Sequence, residues 1–436
     1  MNARFSFLSL LLIVLFSTQI SVANEPTAAA ALARKAVSEN ATESTAAIEE
    51  LRALGPEGLK ALMTGHAAEI NRHIADPKAA AGPEWQRITH ALDQVGQQKN
   101  NYSSGLYWYT NLHEATKAAR ESGKPILSLR LLGNLTDELS CANSRFFRTV
   151  LYANAQIAPL LRDRFVLHWQ SVRPAPRITI DFGDGRKLER TVTGNSIHYI
   201  LDSDGRLIEA LPGLYGPAAF QQNLSHAEML FNKLAGKTGA DRRKTLVEHY
   251  RSRANRISSA WGSDMMRIGR QISRETLMYR GSNGEAVAIG PLAVTKMMTE
   301  TTILRSMTSV SDALGRITDE DSWRKIAQLH ANDAKLDERS LALIKSQNAS
   351  LSTEELANMI RNFEELVALD TVRNEYMMHP KLYLLLTDDS LRENLENFND
   401  HVYATLFLTP KSDPWLGLVA PDVYTAIDKG GISKGR

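Results

Sequence analysis

Between Leu106 and Phe220 the apolar pattern of this chain changes period, and that change limits the folds open to it. On either side, apolar residues recur at three- to four-residue spacing, as amphipathic helices require. Inside the window, Ile126 to Leu132 and Phe165 to Trp169 are short, nearly continuous apolar runs. Ile178, Ile180 and Phe182 alternate with polar residues up to Gly183-Asp184-Gly185, and Leu188, Arg190 and Val192 continue beyond the turn. Ile197 to Leu201 and Leu207 to Leu211 flank a second turn, Asp202-Ser203-Asp204-Gly205. Runs of this kind bounded by turn residues read as buried strands and hairpins. Between them lie a capped helix over Asn111 to Ser122, a helix opening at Cys141-Ala142-Asn143-Ser144, a helical turn over Ala155 to Arg162, and a helix from Pro217. The order helix, strand, helix, strand, hairpin, helix argues for a mixed α/β layer structure around one short central sheet.

The flanks read as helical. Residues 25–99 form an arm or small bundle, broken at Gly55-Pro56 and Asp76-Pro77. After about Ala227 helices are expected over Arg242 to Ile257, Glu285 to Leu314, Asp319 to His330, Glu338 to Lys345, Thr353 to Leu369 and Asp388 to Leu406. Thr318-Asp319-Glu320-Asp321 and Ser352-Thr353-Glu354-Glu355 are helix starts, so their acids read as caps rather than paired catalytic carboxylates. The basic stretch from Arg242 to Arg253 reads as a solvated face, and so do His66 and His73, which could share a helix face but are too few for a metal site. Thr409 to Val423 is an irregular apolar strap expected to pack on the helices.

At 436 residues, two or three domains are expected. Arg4, the apolar run Phe5 to Phe16 and the small residues of Ser21-Val22-Ala23 read as a secretory signal peptide cut after Ala23. The run falls short of the roughly 20 residues that span a bilayer, so no stable membrane insertion is expected after cleavage. The expected organisation is a signal peptide at 1–23, a helical arm at 24–103, an α/β domain at 104–225, an all-α domain at 226–408 and the strap at 409–436. The expected location is the periplasm or the cell exterior. With 51 Lys and Arg against 49 Asp and Glu, the chain lacks the concentrated positive charge of a nucleic-acid protein. Its single cysteine, Cys141, excludes intramolecular disulfides, cysteine-rich zinc sites, cysteine-held iron–sulfur clusters and c-type haem attachment. His113-Glu114 lacks the second histidine of a zinc protease, and no phosphate loop, dinucleotide fingerprint or nucleophile elbow occurs.

One resemblance adds chemistry. It runs through Trp108, Glu114 to Ala119, Gly123-Lys124-Pro125-Ile126-Leu127, Cys141, Leu160-Leu161, Phe165-Val166, Gly194, Leu201-Asp202 and Asp204-Gly205. Over this quarter of the chain the sequence resembles the thioredoxin-like superfamily. The resemblance implies a thioredoxin-like mixed sheet, with Cys141 at the nucleophilic cysteine and Ser144 where a second cysteine would stand, a Cys-X-X-Ser motif. A cysteine opening a helix meets unpaired amides and the positive end of the dipole, which favour the thiolate, and Arg145 and Arg148 can add to that. Alignment on Leu201-Asp202 puts Ser196 where disulfide-handling members have a cis-proline. A non-proline cis bond is costly, so a trans peptide is expected there. Ser196 and His198 are then the substrate-side candidates.

Two functions are open to such a chain. In the first, an exported monothiol exchanges disulfides with exported proteins, with Cys141 as nucleophile, Ser144 bonding the thiolate and Arg145 supporting it. In the second, the thioredoxin-like fold is a non-catalytic scaffold, and the helical domain and strap bind a protein partner. Neither implies a metal or organic cofactor.

Overall fold

The computed structural model describes residues 28–77, 79–191, 195–270, 314–315, 317–416 and 426–427. The expected signal peptide, most of the helix expected over Glu285 to Leu314, Val192, Gly194 and most of the strap beyond Leu416 lie outside the described residues.

Five helices build the arm: α1 (Ala28–Lys35), α2 (Ala41–Ala53), α3 (Pro56–Gly65), α4 (Ala67–Ala75) and α5 (Pro83–Gly96). Asn40 caps α2 by accepting from the amides of Thr42 and Glu43, and Pro56 and Pro83 open their helices where no N–H is needed. Leu51, Leu62, Ile88, Leu92 and Val95 close a core of the arm's own. His66 stands at the junction of α3 and α4 with Nε2 3.1 Å from the Ala33 carbonyl, so it shares no helix face with His73. Nor is His73 solvated. It is buried, stacked on Trp85 at 3.8 Å. Arg52 ties the arm to the first strand of the sheet, donating to the carbonyls of Val95 and Trp108 at 2.9 and 2.6 Å.

The middle of the chain runs β1 (Trp108–Tyr109), α6 (Leu112–Ser122), β2 (Ile126–Leu132), α7 (Ala142–Phe147) with a π turn over Arg148–Tyr152, α8 (Ile157–Arg164), β3 (Val166–Arg173), β4 (Arg177–Asp181), β5 (Lys187–Thr191), β6 (Ile197–Leu201), β7 (Leu207–Pro212) and α9 (Pro217–Leu234). Asn111 caps α6, and Gly123, at φ +68°, ends it. The sheet order is β1-β3-β2-β6-β7. The strands β1, β3 and β2 are mutually parallel, whereas β6 is antiparallel to β2 and β7 to β6. All seven residues of the central strand β2 are buried, as a continuous apolar run predicts for a strand covered on both faces. The expected hairpin around Gly183-Asp184-Gly185 is the separate ribbon β4–β5, and the second expected hairpin is β6–β7. This mixed sheet flanked by helices is compatible with a thioredoxin-like fold.

The remainder is helical: α10 (Gly239–Arg267), α11 (Glu320–Leu329), α12 (Glu338–Gln347), α13 (Thr353–Arg373), a π turn over Asn374–Met378, α14 (His379–Leu386), α15 (Asp389–Arg392) and α16 (Leu395–Thr405). Asp319 and Ser352 are caps as expected, the latter in a complete capping box with Glu355. Three differences have physical reasons. The helix expected over Asp388 to Leu406 is broken, because Asn394 caps a new start by accepting from the Asn397 amide. The unanticipated α14 carries Pro380 in its first turn, where proline is tolerated. The face expected to be solvated from Arg242 to Arg253 instead turns both of those arginines inward. Arg242 pairs with Asp202 at 2.7 Å, and Arg253 lies 3.7 Å from Glu375. One apolar core runs without a break from Trp108 and β2 through Leu246, Trp261 and Leu382 to Leu416, so the sheet and the C-terminal helices share it.

Candidate functional site

Cys141 closes the loop after β2. Its amide donates to the Leu132 carbonyl at 3.1 Å, and its own carbonyl receives the Arg145 amide at 3.2 Å, which makes it the N-cap of α7. The side chain is wholly buried. Its Sγ lies 3.1 Å from Ser196 Oγ and donates to Ser144 Oγ at 3.4 Å. Ser144 in turn donates toward Ser140 Oγ at 2.7 Å and the Cys141 carbonyl at 2.8 Å. Three of the residues singled out from sequence, Cys141, Ser144 and Ser196, therefore meet. With Ser144 accepting from the sulfur, the arrangement satisfies a thiol; a thiolate would have to be bonded by Ser196.

The other two candidates do not join the thiol. His198 is buried in β6 with Nε2 2.7 Å from the Tyr152 hydroxyl and its ring against Phe147 and Phe220. Burial lowers its pKa to about 3, so it is neutral. Burial also holds the Tyr152 phenol well above its usual range, with Cys141 adding to the rise. Arg145 extends into a groove lined by Phe146, Arg190 and Phe363. Burial lowers its guanidinium pKa, Cys141 raises it, Arg190 lowers it and Glu138 raises it. Arg148 is buried and donates to the Asp137 carbonyl at 3.1 Å.

The expected substrate side is occupied by the chain itself. Ser196 is buried, and the peptide bonds of the described residues are trans, as expected for a serine there. The carbonyl of Asn195 accepts from Tyr403 Oη of α16 at 3.1 Å, and Asn195 Nδ2 donates to Thr409 Oγ1 at 3.1 Å. Arg173, at the end of β3, donates to the carbonyls of Thr409 and Asp413 at 2.8 and 3.0 Å. The start of the strap thus packs against the Asn195–Ser196 loop and the end of β3, and Leu406, Phe407 and Leu416 are buried in the shared core. Thr191 at the end of β5 closes a further side by donating to the Ser140 carbonyl at 3.1 Å. Sequence reasoning missed Tyr403, Asn195 and Thr409, because periodicity places Tyr403 on a helix without saying what that helix covers.

A second cluster lies where β7 meets α10 and α14. Glu209 is fully buried, with Oε2 3.0 Å from His249 Nε2 and accepting from Tyr383 Oη at 3.2 Å, and Oε1 3.8 Å from His379 Nε2. His379 Nδ1 is 2.9 Å from Glu375 Oε2. Burial raises the Glu209 pKa, yet the two histidines outweigh it and bring the carboxyl to about 2. Burial lowers that of His379, yet Glu375 and Glu209 outweigh it and lift the imidazole to about 9. The one sequence signal was a glutamate inside the otherwise apolar run Leu207 to Leu211. Among the described residues no group of three or more His, Cys, Asp or Glu is arranged to hold a metal ion, and no helix is long and apolar enough to cross a membrane. No known protein-family model, curated protein or solved structure matches this chain.

Proposed function

We propose that this chain is an exported thioredoxin-like scaffold that acts as a non-catalytic protein-interaction module through its helical C-terminal part, with Cys141 as a structural thiol. The observation that carries the reading is the covering of the Asn195–Ser196 loop by Tyr403 and Thr409 of the same chain. A disulfide exchanger needs that loop open beside the sulfur, and here Tyr403 and Thr409 are bonded to it instead. The assignment to the thioredoxin-like class is supported by the sheet order and by a cysteine that opens the helix after the central strand beside the residue preceding β6.

The two hydroxyls on the sulfur favour a second reading, monothiol exchange with exported proteins. In that reaction the Cys141 thiol gives its proton to solvent and the thiolate attacks one sulfur of a partner's disulfide. The new S–S bond forms as the old one breaks, and the other sulfur leaves as a thiolate. A small external thiol must then release Cys141, since the chain has no second cysteine. Alkylation of the purified protein across pH separates the readings. The scaffold predicts that native Cys141 reacts only through global unfolding, at a rate set by the unfolded population. Rapid native reaction with a midpoint well below the roughly 8.5 of an unperturbed thiol would overturn it.

A further inference from the structure

On the outer side of α7 the protein has a groove of about 560 Å³, between the loop before α7, the β4–β5 ribbon and the helices α12 and α13. That volume falls in the range of pockets that hold small organic ligands, roughly 300–1,000 Å³. Its lining combines two chemistries. Arg145, Arg148 and Arg190 stand against a single carboxylate, Glu138. Beside them are Met359, Ile360 and the edge-on pair Phe146 and Phe363, whose ring centroids are 5.1 Å apart.

Two of the three arginines lack a negative counterpart among the described residues. Arg148 is spent on the Leu135 and Asp137 carbonyls. Arg190 donates to the carbonyl of its own neighbour Glu189 and makes no ion pair among the described residues. Arg145 has a buried Nε without a hydrogen-bond partner and likewise no ion pair among the described residues. A guanidinium presents a planar fork of donors suited to a carboxylate or phosphate, and an unpaired buried donor carries a free-energy cost that a bound anion removes. Two arginines that repel each other in a groove also lined by apolar side chains call for one negative head joined to an apolar body.

We propose that this groove binds a small amphiphilic anion, a carboxylate or phosphate head on an apolar chain, with Arg145 and Arg190 on the head and Phe146, Met359 and Phe363 along the chain. This site is independent of whether Cys141 reacts. It also gives Arg145 a task other than supporting the thiol.

The test is calorimetric titration of the purified protein with three probes: decanoate, butanoate with the same head and no long chain, and decyltrimethylammonium with the same chain and opposite charge. Saturable one-to-one binding of decanoate is expected, with butanoate and the cation at least tenfold weaker. Arg145→Gln should weaken decanoate at least tenfold, and Arg145→Lys less. Arg190→Gln, at an exposed position, should weaken it severalfold and keeps the test decisive if Arg145→Gln fails to fold. The proposal is overturned if decanoate shows no saturable binding at millimolar concentration, if the cation binds as well, if butanoate binds as well, or if neither arginine variant changes the affinity.

Discussion

Glu209→Gln removes a buried negative charge while keeping the side chain's shape and its ability to accept from Tyr383. It leaves His249 without its carboxylate and His379 with Glu375 alone. The fold lifts His379 from 6.5 to about 9, so the imidazolium form is favoured in the native state. That contribution is complete below about pH 6.5 and is lost as pH rises through 9. Glu209 is brought from 4.5 to about 2, so its contribution is complete above about pH 4.5 and is lost as pH falls through 2. The network therefore stabilises most between about pH 4.5 and 6.5. At about 1.4 kcal/mol per pH step, either shift corresponds to about 3 kcal/mol, and because His379 owes part of its shift to Glu375 and Glu209 owes part of its own to His249, about 3 kcal/mol is the upper bound for the substitution. This agrees with the roughly 3–5 kcal/mol lost when one partner of a buried ion pair is removed. Thermal unfolding followed by circular dichroism should show the variant about 3–6 °C below the parent at pH 5.5, at roughly 1–2 °C per kcal/mol for a cooperative unit of this size. At pH 9.5 the difference should close or reverse, because His379 is then largely neutral and the parent buries a carboxylate beside it. A difference below about 1 kcal/mol at pH 5.5, or one unchanged at pH 9.5, would refute the reasoning.

Arg130→Met should behave in the opposite way. Arg130 is buried in β2 while its partner Glu396 is half exposed, so its removal strands no buried carboxylate, and chemical denaturation should find a change within about 1 kcal/mol in either direction. Gly216→Ala should destabilise by about 2 kcal/mol or more, since a Cβ there would lie 2.7 Å from Ala334 Cα and closer still to the Asp333 carbonyl oxygen; an unchanged melting temperature would contradict the close approach of β7's exit loop to the helices. Cys141→Ala should cost about 1–2 kcal/mol by leaving a small void and an unpaired Ser196 hydroxyl, and a stability equal to the parent would argue against a structural thiol.

The sheet was legible because its strands are short apolar or alternating runs separated by glycine turns, signals that depend on near neighbours alone. The convergence of Cys141, Ser144 and Ser196 was legible for a different reason: one alignment anchor, Leu201-Asp202, fixed the register of β6 against β2, and pairing of Ile126 with Leu201 carries the preceding loop to the cysteine. What could not be read were contacts between residues far apart in sequence. Arg242 and Arg253 lie in a run that looks solvated until Asp202 and Glu375 are brought to it from 40 residues before and 122 residues after. Tyr403 reaches the Asn195 carbonyl across 208 residues. Arg145 was assigned to the thiol by spacing along one helix, whereas α12 and α13 supply the groove it enters.

Whether the thiol is chemistry or packing turns on how it becomes exposed. Lifting the strap together with the C-terminal end of α16 breaks two bonds from Arg173, the bond from Tyr403 to Asn195 and the bond from Asn195 to Thr409. At about 1 kcal/mol for each neutral bond and about 1.5–3 for each charged one, the latch holds with about 5–8 kcal/mol. That alone leaves about one molecule in 10⁴–10⁶ open. Leu406, Phe407 and Leu416 must also leave the core, at about 1.5–3 kcal/mol each. The sum reaches the roughly 5–15 kcal/mol that separates folded from unfolded domains, so exposure of Cys141 becomes an unfolding event rather than the opening of a gate. Native alkylation should then track global stability wherever a substitution falls. Glu209→Gln, at the seam with α10 and α14, should raise the rate by up to about 10²-fold at pH 5.5 through its loss of up to about 3 kcal/mol, and Arg173→Gln should raise it in proportion to its own loss. If Arg173→Gln alone accelerated alkylation while Glu209→Gln left it unchanged, the strap would be a gate of its own, and monothiol exchange would replace the scaffold as the better account of this fold.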